Sequence, residues 1–231
     1  MVLLDGKLLK TDVKGNRYMK KTDFEAILFD LDGTLWDSTE GIKETWNIVL
    51  AKHGDVEGLR KSVSIADLEA CMGLAMDKIA EKLFPNMTTE FQLQLMDECC
   101  ELENEYLKEH GGRLYENVME TLEQLKQNYR LMIVSNCQIG YIESFLHAHK
   151  CQHLFEDFES FGATSLTKGE NIQLIMKRNQ ISKAIYVGDI INDAIAAKQA
   201  GIPFVYAKYG FGDVLEYDYV IDVFEDLLKL F

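Results

Sequence analysis

Positive charge is what this chain has least of. Its 231 residues carry 24 Lys and Arg against 38 Asp and Glu, a formal net charge of −14. Nucleic-acid binding needs a basic footprint, so that class of partner is excluded. The same deficit repels anionic ligands at long range. Any anion site must therefore be made locally, from a metal, a lysine and backbone amides. Long apolar runs are also missing: no stretch approaches a membrane span. The N-terminal MVLLDGKLLKTDVKGNRYMKK lacks the basic start, apolar core and small-residue cleavage site of a signal peptide. A cytoplasmic protein with no membrane partner is expected. Cysteines form no framework, since Cys71, Cys99, Cys100, Cys137 and Cys151 include no CxxC pair and no partner at zinc-site spacing. Their odd count suits free thiols in a reducing compartment. Cys99 and Cys100, inside an apparent helix, read as small hydrophobes. The five histidines are scattered, which points to surface or core roles.

Hydrophobic residues make up 47% of the chain, enough to bury a real core as one large domain or one domain carrying an insertion. Residues 1–23 form a polar N-terminal extension, with turn signals at Asp5-Gly6 and Lys14-Gly15-Asn16. Alternation through Leu8, Lys10 and Asp12 suggests a small hairpin there. Ala26-Ile27-Leu28-Phe29 lacks helical periodicity and reads as a buried parallel strand. From Ser38 to His110 strand signals are absent. Ile42, Thr45, Trp46, Val49 and Leu50 mark one helical face. Further helices are expected over Ala66–Met72, from Met76 until Pro85 stops it, and from Thr88 to Gly111-Gly112. After that, strands and helices alternate. Strands are expected at Leu131–Val134, Asp157–Phe161, Ala184–Val187, Pro203–Ala207 and Tyr219–Ile221. This order predicts an α/β, Rossmann-like doubly wound parallel sheet. Residues 24–38 and 111–231 would form the discontinuous core, and 39–110 an inserted all-α cap.

Four signals stand at strand ends: Asp30/Asp32, Ser135-Asn136, Lys168 and Asp189/Asp193. In a doubly wound sheet such ends converge on one crevice. Carboxylates hold a hard cation such as Mg²⁺ through oxygen. A hydroxyl, an amide and an ammonium supply donors and charge to a phosphate. A further carboxylate can act as nucleophile in aspartyl-phosphate chemistry. Each residue also has a bland reading, as turn, N-cap or first-turn acid. Only the set in series argues for function.

DLDGTLWDS, Val134-Ser135-Asn136, Lys168 and VGDIINDAIAA resemble, in order, the four motifs of the haloacid dehalogenase superfamily. The chain is most similar to its phosphoglycolate-phosphatase-type hydrolases, from Phe24 to the end. The resemblance implies Mg²⁺-dependent hydrolysis of a small phosphorylated metabolite of phosphoglycolate type. It implies that Asp30 is the nucleophile and a metal ligand. Asp32 would be general acid and base, with its backbone carbonyl on the metal. Gly33, Thr34, Ser135, Asn136 and Lys168 would hold the phosphate, with Asp189 as a direct metal ligand. Asp193 would act through a water or by orienting Lys168. The family often has Lys-Pro where this chain has Lys168-Gly169. Glycine releases the φ that proline would fix, so a looser loop is expected there.

Aspartate at position 32 sets the chain apart from the superfamily's dehalogenases and phosphonatases, which lack that acid. A sugar-phosphate mutase resembling β-phosphoglucomutase keeps both aspartates. Its cap usually offers a histidine where this chain has Glu40-Gly41-Ile42-Lys43. A non-catalytic member that binds a phospho-ligand or partner is the third reading. Hinges are expected near Trp36–Gly41 and Gly111–Arg113. Lys43, Arg60 and Arg113 are candidates to meet a second anionic group on the substrate. Trp36 and Tyr209-Gly210-Phe211-Gly212 fall on loops near the crevice.

Overall fold

Ala26–Phe29 is wholly buried, which a short strand achieves only when both faces of its sheet are covered. A computed structural model describes residues 24–231 in full and the backbone of 2–4 and 7–9. In the N-terminal region Val2–Leu4 (β1) pairs antiparallel with Lys7–Leu9 (β2), the expected small hairpin. Asp5-Gly6, Lys14-Gly15-Asn16 and the alternation through Lys10 and Asp12 lie outside the described residues. The chain continues through β3 (Ala26–Phe29), β4 (Trp36–Asp37), α1 (Thr39–Lys52), α2 (Ile65–Glu69), α3 (Met76–Leu83) and α4 (Thr89–His110). It then runs through β5 (Arg113–Leu114), α5 (Val118–Leu125), β6 (Arg130–Ser135), α6 (Tyr141–Ala148), β7 (Asp157–Ser160), α7 (Phe161–Thr164) and α8 (Lys168–Arg178). It finishes with β8 (Ala184–Gly188), α9 (Ile191–Ala200), β9 (Phe204–Ala207), β10 (Tyr219–Ile221) and α10 (Leu227–Leu230).

Six strands form one sheet in the order β10-β9-β8-β3-β6-β7, every neighbouring pair parallel. Successive strand residues serve opposite faces. Ile27 and Phe29 join Ile133, Val187, Leu122 and Phe145 in one apolar cluster. Ala26 and Leu28 join Met132, Tyr186, Ile172 and Ala197 in another. The fold is the expected doubly wound α/β sheet with helices on both sides.

The four helices between β4 and β5 have an apolar cluster of their own, built on Trp46, Leu50, Leu68 and Leu95. Local chemistry sets their ends. Ser64 and Asp67 form a reciprocal capping box at α2, and Thr88 accepts from the Phe91 amide at α4. The helix α2 stops at Glu69, short of the expected Met72. From there the Cys71, Met72 and Leu74 amides each bond three residues back, winding the chain into tight turns. At the two expected hinges, β4 and β5 pair as a short antiparallel ribbon, Trp36 opposite Leu114 and Asp37 opposite Arg113. The strands leading into and out of the helical block are thus tied to each other.

Separate apolar clusters imply separable stability. Leu50→Ala is expected to cost about 2–5 kcal/mol. Hydrogen exchange should speed up across α1–α4 while β3, β6 and β8 stay protected. Equal acceleration in helices and sheet would show one cooperative unit.

Candidate active site

After β3 the chain moves outward on one side, to β6 and then β7. It then returns to β8 on the other side of β3. The carboxyl end of β3 is therefore the switch point where open α/β sheets leave a crevice. Asp30 follows β3 directly and is locked in register by its amide, which donates to the Val187 carbonyl at 2.9 Å. Gly33 lets the chain turn there. Its φ of +78° is left-handed, and a Cβ would lie 2.1 Å from Asp189 Oδ2.

Asp30, Asp189 and Asp193 are buried together, each offering an oxygen within 4.8 Å of the others. Among the described residues one cation faces them. Lys168 Nζ lies 2.6 Å from Asp193 Oδ1 and 3.0 Å from Asp30 Oδ1. The second contact is an ion pair whose angle leaves Asp30 Oδ1 without a formed hydrogen bond. Burial alone would lower the Lys168 pKa, but Asp193 and Asp30 hold it above the usual value. Burial, then the neighbouring Asp193 and Asp30, pushes the Asp189 carboxyl well up. Burial and Asp30 push Asp193 up to about 6 against the pull of Lys168. Three buried carboxylates against one ammonium fit a divalent cation with oxygen ligands. Asp193 is already engaged, since its Oδ2 accepts from the Asp189 and Ile190 amides at 3.0 and 3.1 Å. It orients Lys168 more directly than it offers a free oxygen.

Lys168 is held firmly, contrary to the looser loop expected from Gly169. It is the first residue of α8, whose N-terminus is closed by a Thr167–Glu170 capping box. Gly169 has a packing reason instead: a Cβ would stand 2.5 Å from Gln199 Oε1 on α9.

Asp32 has different surroundings. Ser38 Oγ donates to its Oδ1 at 2.7 Å, and Tyr141 Oη lies 2.7 Å from both that oxygen and Ser38 Oγ. Burial raises the Asp32 pKa, the two hydroxyls lower it, and Asp30 raises it again, leaving it at about 6. Both hydroxyls act on Oδ1, so Oδ2 is the oxygen left to exchange a proton. Neither Ser38 nor Tyr141 had a signal in the sequence beyond a helix start.

Gly33 and Thr34, expected at the phosphate, sit against Asp189. The Thr34 hydroxyl lies 3.4 Å from Asp189 Oδ1, and neither residue lines the cavity. The Phe211 amide donates to Asp189 Oδ2 at 2.7 Å, and Tyr209 Oη donates to the Thr34 carbonyl. Trp36 is packing, edge-on to Tyr141, Phe145 and His149.

Asp30, Asp32, Ser135 and Asn136 open onto a cavity of about 50 Å³ whose other wall comes from the helical block. Asn136 Nδ2 donates to the Gly73 carbonyl at 3.0 Å, joining the two walls. No Lys, Arg or His lines this cavity among the described residues. The three cations expected there are paired elsewhere: Lys43 with Glu40, Arg60 with Asp67, Arg113 with Asp37. What the helical block does present is Glu103, 1% exposed, accepting from Trp46 Nε1 and from Gln138 Nε2. Burial pushes its carboxyl up to about 7. A signal for it existed. Leu95, Cys99, Glu103 and Leu107 share one helical stripe, and an acid on an apolar stripe is conspicuous.

The profile of the family described as haloacid dehalogenase-like hydrolase matches residues 27–207, a span containing every acid of the cluster. The chain is 31% identical to the phosphoglycolate phosphatase of Mannheimia succiniciproducens over 226 residues, covering 90% of this chain and 99% of that one. It is 29% identical to the phosphoglycolate phosphatase of Vibrio parahaemolyticus, with 92% and 98% covered. It superposes on the crystal structure of a predicted phosphoglycolate phosphatase from Haemophilus somnus with a TM-score of 0.75 at 26% identity, covering 91% and 99%. A haloacid dehalogenase-like hydrolase structure from Streptococcus pneumoniae gives 0.77 at 20% identity, covering 90% and 98%, a likeness of fold alone.

The raised carboxyl pKa values predict a pH dependence. Between about pH 4 and 7 the Asp32, Asp193 and Glu103 carboxyls hold more protons in the metal-free native state than in the unfolded chain, so their contribution to stability falls as pH rises through that window. A divalent cation binds the ionised carboxylates, so its stabilisation grows with pH. Melting curves with and without Mg²⁺ should show a larger gain at pH 7.5 than at pH 5. Equal gains would contradict the cluster as the binding site.

Proposed function

The chain belongs to the haloacid dehalogenase-like hydrolase family, and from that premise we propose that it is a Mg²⁺-dependent phosphatase of small phosphomonoesters working through a phosphoaspartate. The observation that carries this reading is the pairing of two unlike carboxyls at the switch point. Asp30 lies within ion-pair distance of Lys168, whereas Asp32 has no cation and a pKa of about 6. One is set up to attack, the other to carry a proton.

In the first step an Asp30 oxygen bonds phosphorus as the bond to the leaving oxygen breaks, and Asp32 gives that oxygen its proton. In the second, Asp32 takes a proton from water as the water attacks phosphorus, and Asp30 is released. Ser135, the Asn136 backbone and Lys168 hold the phosphoryl group, for which positioning and charge stabilisation supply most of the catalysis. Asp30, the Asp32 carbonyl and Asp189 would hold the metal, with Asp193 acting through Lys168. When bound, the metal neutralises the crowded carboxylates and the phosphoryl oxygens.

Residues 39–110 serve as a cap over a core of 24–38 and 111–231. The ribbon of β4 and β5 is the place where the two move relative to one another, and closure excludes water from the crevice. The relatives' names make phosphoglycolate the reference substrate. The mutase alternative finds no support at Glu40-Gly41-Ile42-Lys43, where Ile42 is the residue lining the cavity. No described helix is long and apolar enough to cross a membrane. The free cysteines support a reducing, cytoplasmic setting.

Purified protein with Mg²⁺ is expected to hydrolyse p-nitrophenyl phosphate and small alkyl phosphates. Asp30→Asn should abolish turnover, and Asp32→Asn should lower kcat by about 10²–10⁴-fold on alkyl esters. The loss should be smaller on the aryl ester, whose leaving group needs less help from an acid. Turnover surviving Asp30→Asn would defeat the proposal.

A further inference from the structure

The wall of the cavity supplied by the helical block is apolar apart from one acid. Ile42, Trp46, Leu68, Met72 and Ile79 line it beside Glu103. That carboxyl is buried and has no cationic partner among the described residues. Trp46 and Gln138 each donate to one of its oxygens, so each oxygen keeps a lone pair. The neighbouring amides add acceptors and no free donor on Gln138. Its Nε2 is shared between Glu103 Oε1 at 2.9 Å and Asn104 Oδ1 at 3.1 Å, which fixes the amide's orientation. Its Oε1 is then buried with no protein partner. Asn136 repeats the pattern in part: one Nδ2 hydrogen goes to the Gly73 carbonyl, and its Oδ1 is buried and unpartnered. Buried acceptors without donors are costly, and a ligand that brings donors relieves that cost. A carboxylate on the ligand would bring more acceptors and a like charge, with no Lys, Arg or His on the lining to meet it.

We propose that this protein selects phosphomonoesters of small alcohols whose leaving group carries a hydrogen-bond donor, hydroxyl or ammonium, and no second anion, with Glu103 reading that donor. The inference rests on the phosphatase reading above and adds the substrate class. Glu103 is a specificity residue here and takes no part in the phosphoryl chemistry. Its role differs from that of the paired surface cations, which leave the cavity without a carboxylate receptor.

Three esters of nearly equal size separate the possibilities: phosphoglycolate, 2-hydroxyethyl phosphate and 2-aminoethyl phosphate, with ethyl phosphate as the donor-free control. Specificity constants are compared at pH 8 with Mg²⁺. At least one of the hydroxyl and amino esters should exceed both phosphoglycolate and ethyl phosphate by ten-fold or more. Their order tells whether hydroxyl or ammonium is preferred. In Glu103→Gln the advantage over phosphoglycolate should shrink at least ten-fold. Phosphoglycolate turned over as well as or better than the other two by the wild-type protein overturns the inference and leaves the phosphatase reading standing. An advantage that survives Glu103→Gln unchanged overturns the role of Glu103. Should that variant fail to fold, the wild-type comparison still decides the substrate class. No hydrolysis of any ester, p-nitrophenyl phosphate included, overturns both readings.

Discussion

Everything in the crevice depends on one electrostatic constraint: three buried carboxylates share a single lysine. Bringing Asp30, Asp189 and Asp193 within reach of one another is unfavourable unless opposite charge is present. Lys168 supplies one such charge, and the cluster still lacks the rest. The structure around it is arranged to hold this shortage in place. Asp189 is fixed by the Phe211 amide, Asp193 by two amides at the start of α9, and Lys168 by the capped start of α8. Gly33 and Gly169 keep neighbouring chain close enough for those contacts. An acidic protein thereby makes a local site suited to a cation.

Asp32 shows how environment divides labour between like residues. It stands two positions from Asp30, yet it meets two hydroxyls where Asp30 meets an ammonium. Ser38 comes from the entrance to the helical block and Tyr141 from the first residue of α6. The Asp32 carboxyl is thus supported by the two parts of the molecule that enclose the cavity. The Ser38 contact is one of those lowering the Asp32 pKa, so the start of the helical block bears on the state of the acid.

The crevice residues were legible in the sequence because their signals are local. An apolar strand ending in Asp-x-Asp, a strand ending in Ser-Asn and a Gly-Asp-x-x-x-Asp turn each announce a sheet edge, and their order implies convergence. Lys168 could be named but its rigidity could not, since the reason lies in a capping box and in Gln199 from another helix. The place of Gly33 and Thr34 is hidden for a similar reason. Their neighbour across the turn is Asp189, 155 residues away from Thr34, and no local pattern records that contact. The cap wall was the least readable part. Cations were sought there by scarcity, but each had an acidic neighbour at the surface, and the buried charge turned out to be Glu103.

Residue pattern by itself determined the doubly wound sheet, the helical insertion and the acids at the strand ends, because hydrophobic period and strand-end chemistry are short-range properties. Only the tertiary structure decided which of those acids share a lysine, which one is backed by hydroxyls, and what faces the cavity from the helical block. Those are distances between segments remote in sequence, set by how the sheet and the four helices pack. Burial then assigns each carboxyl its character.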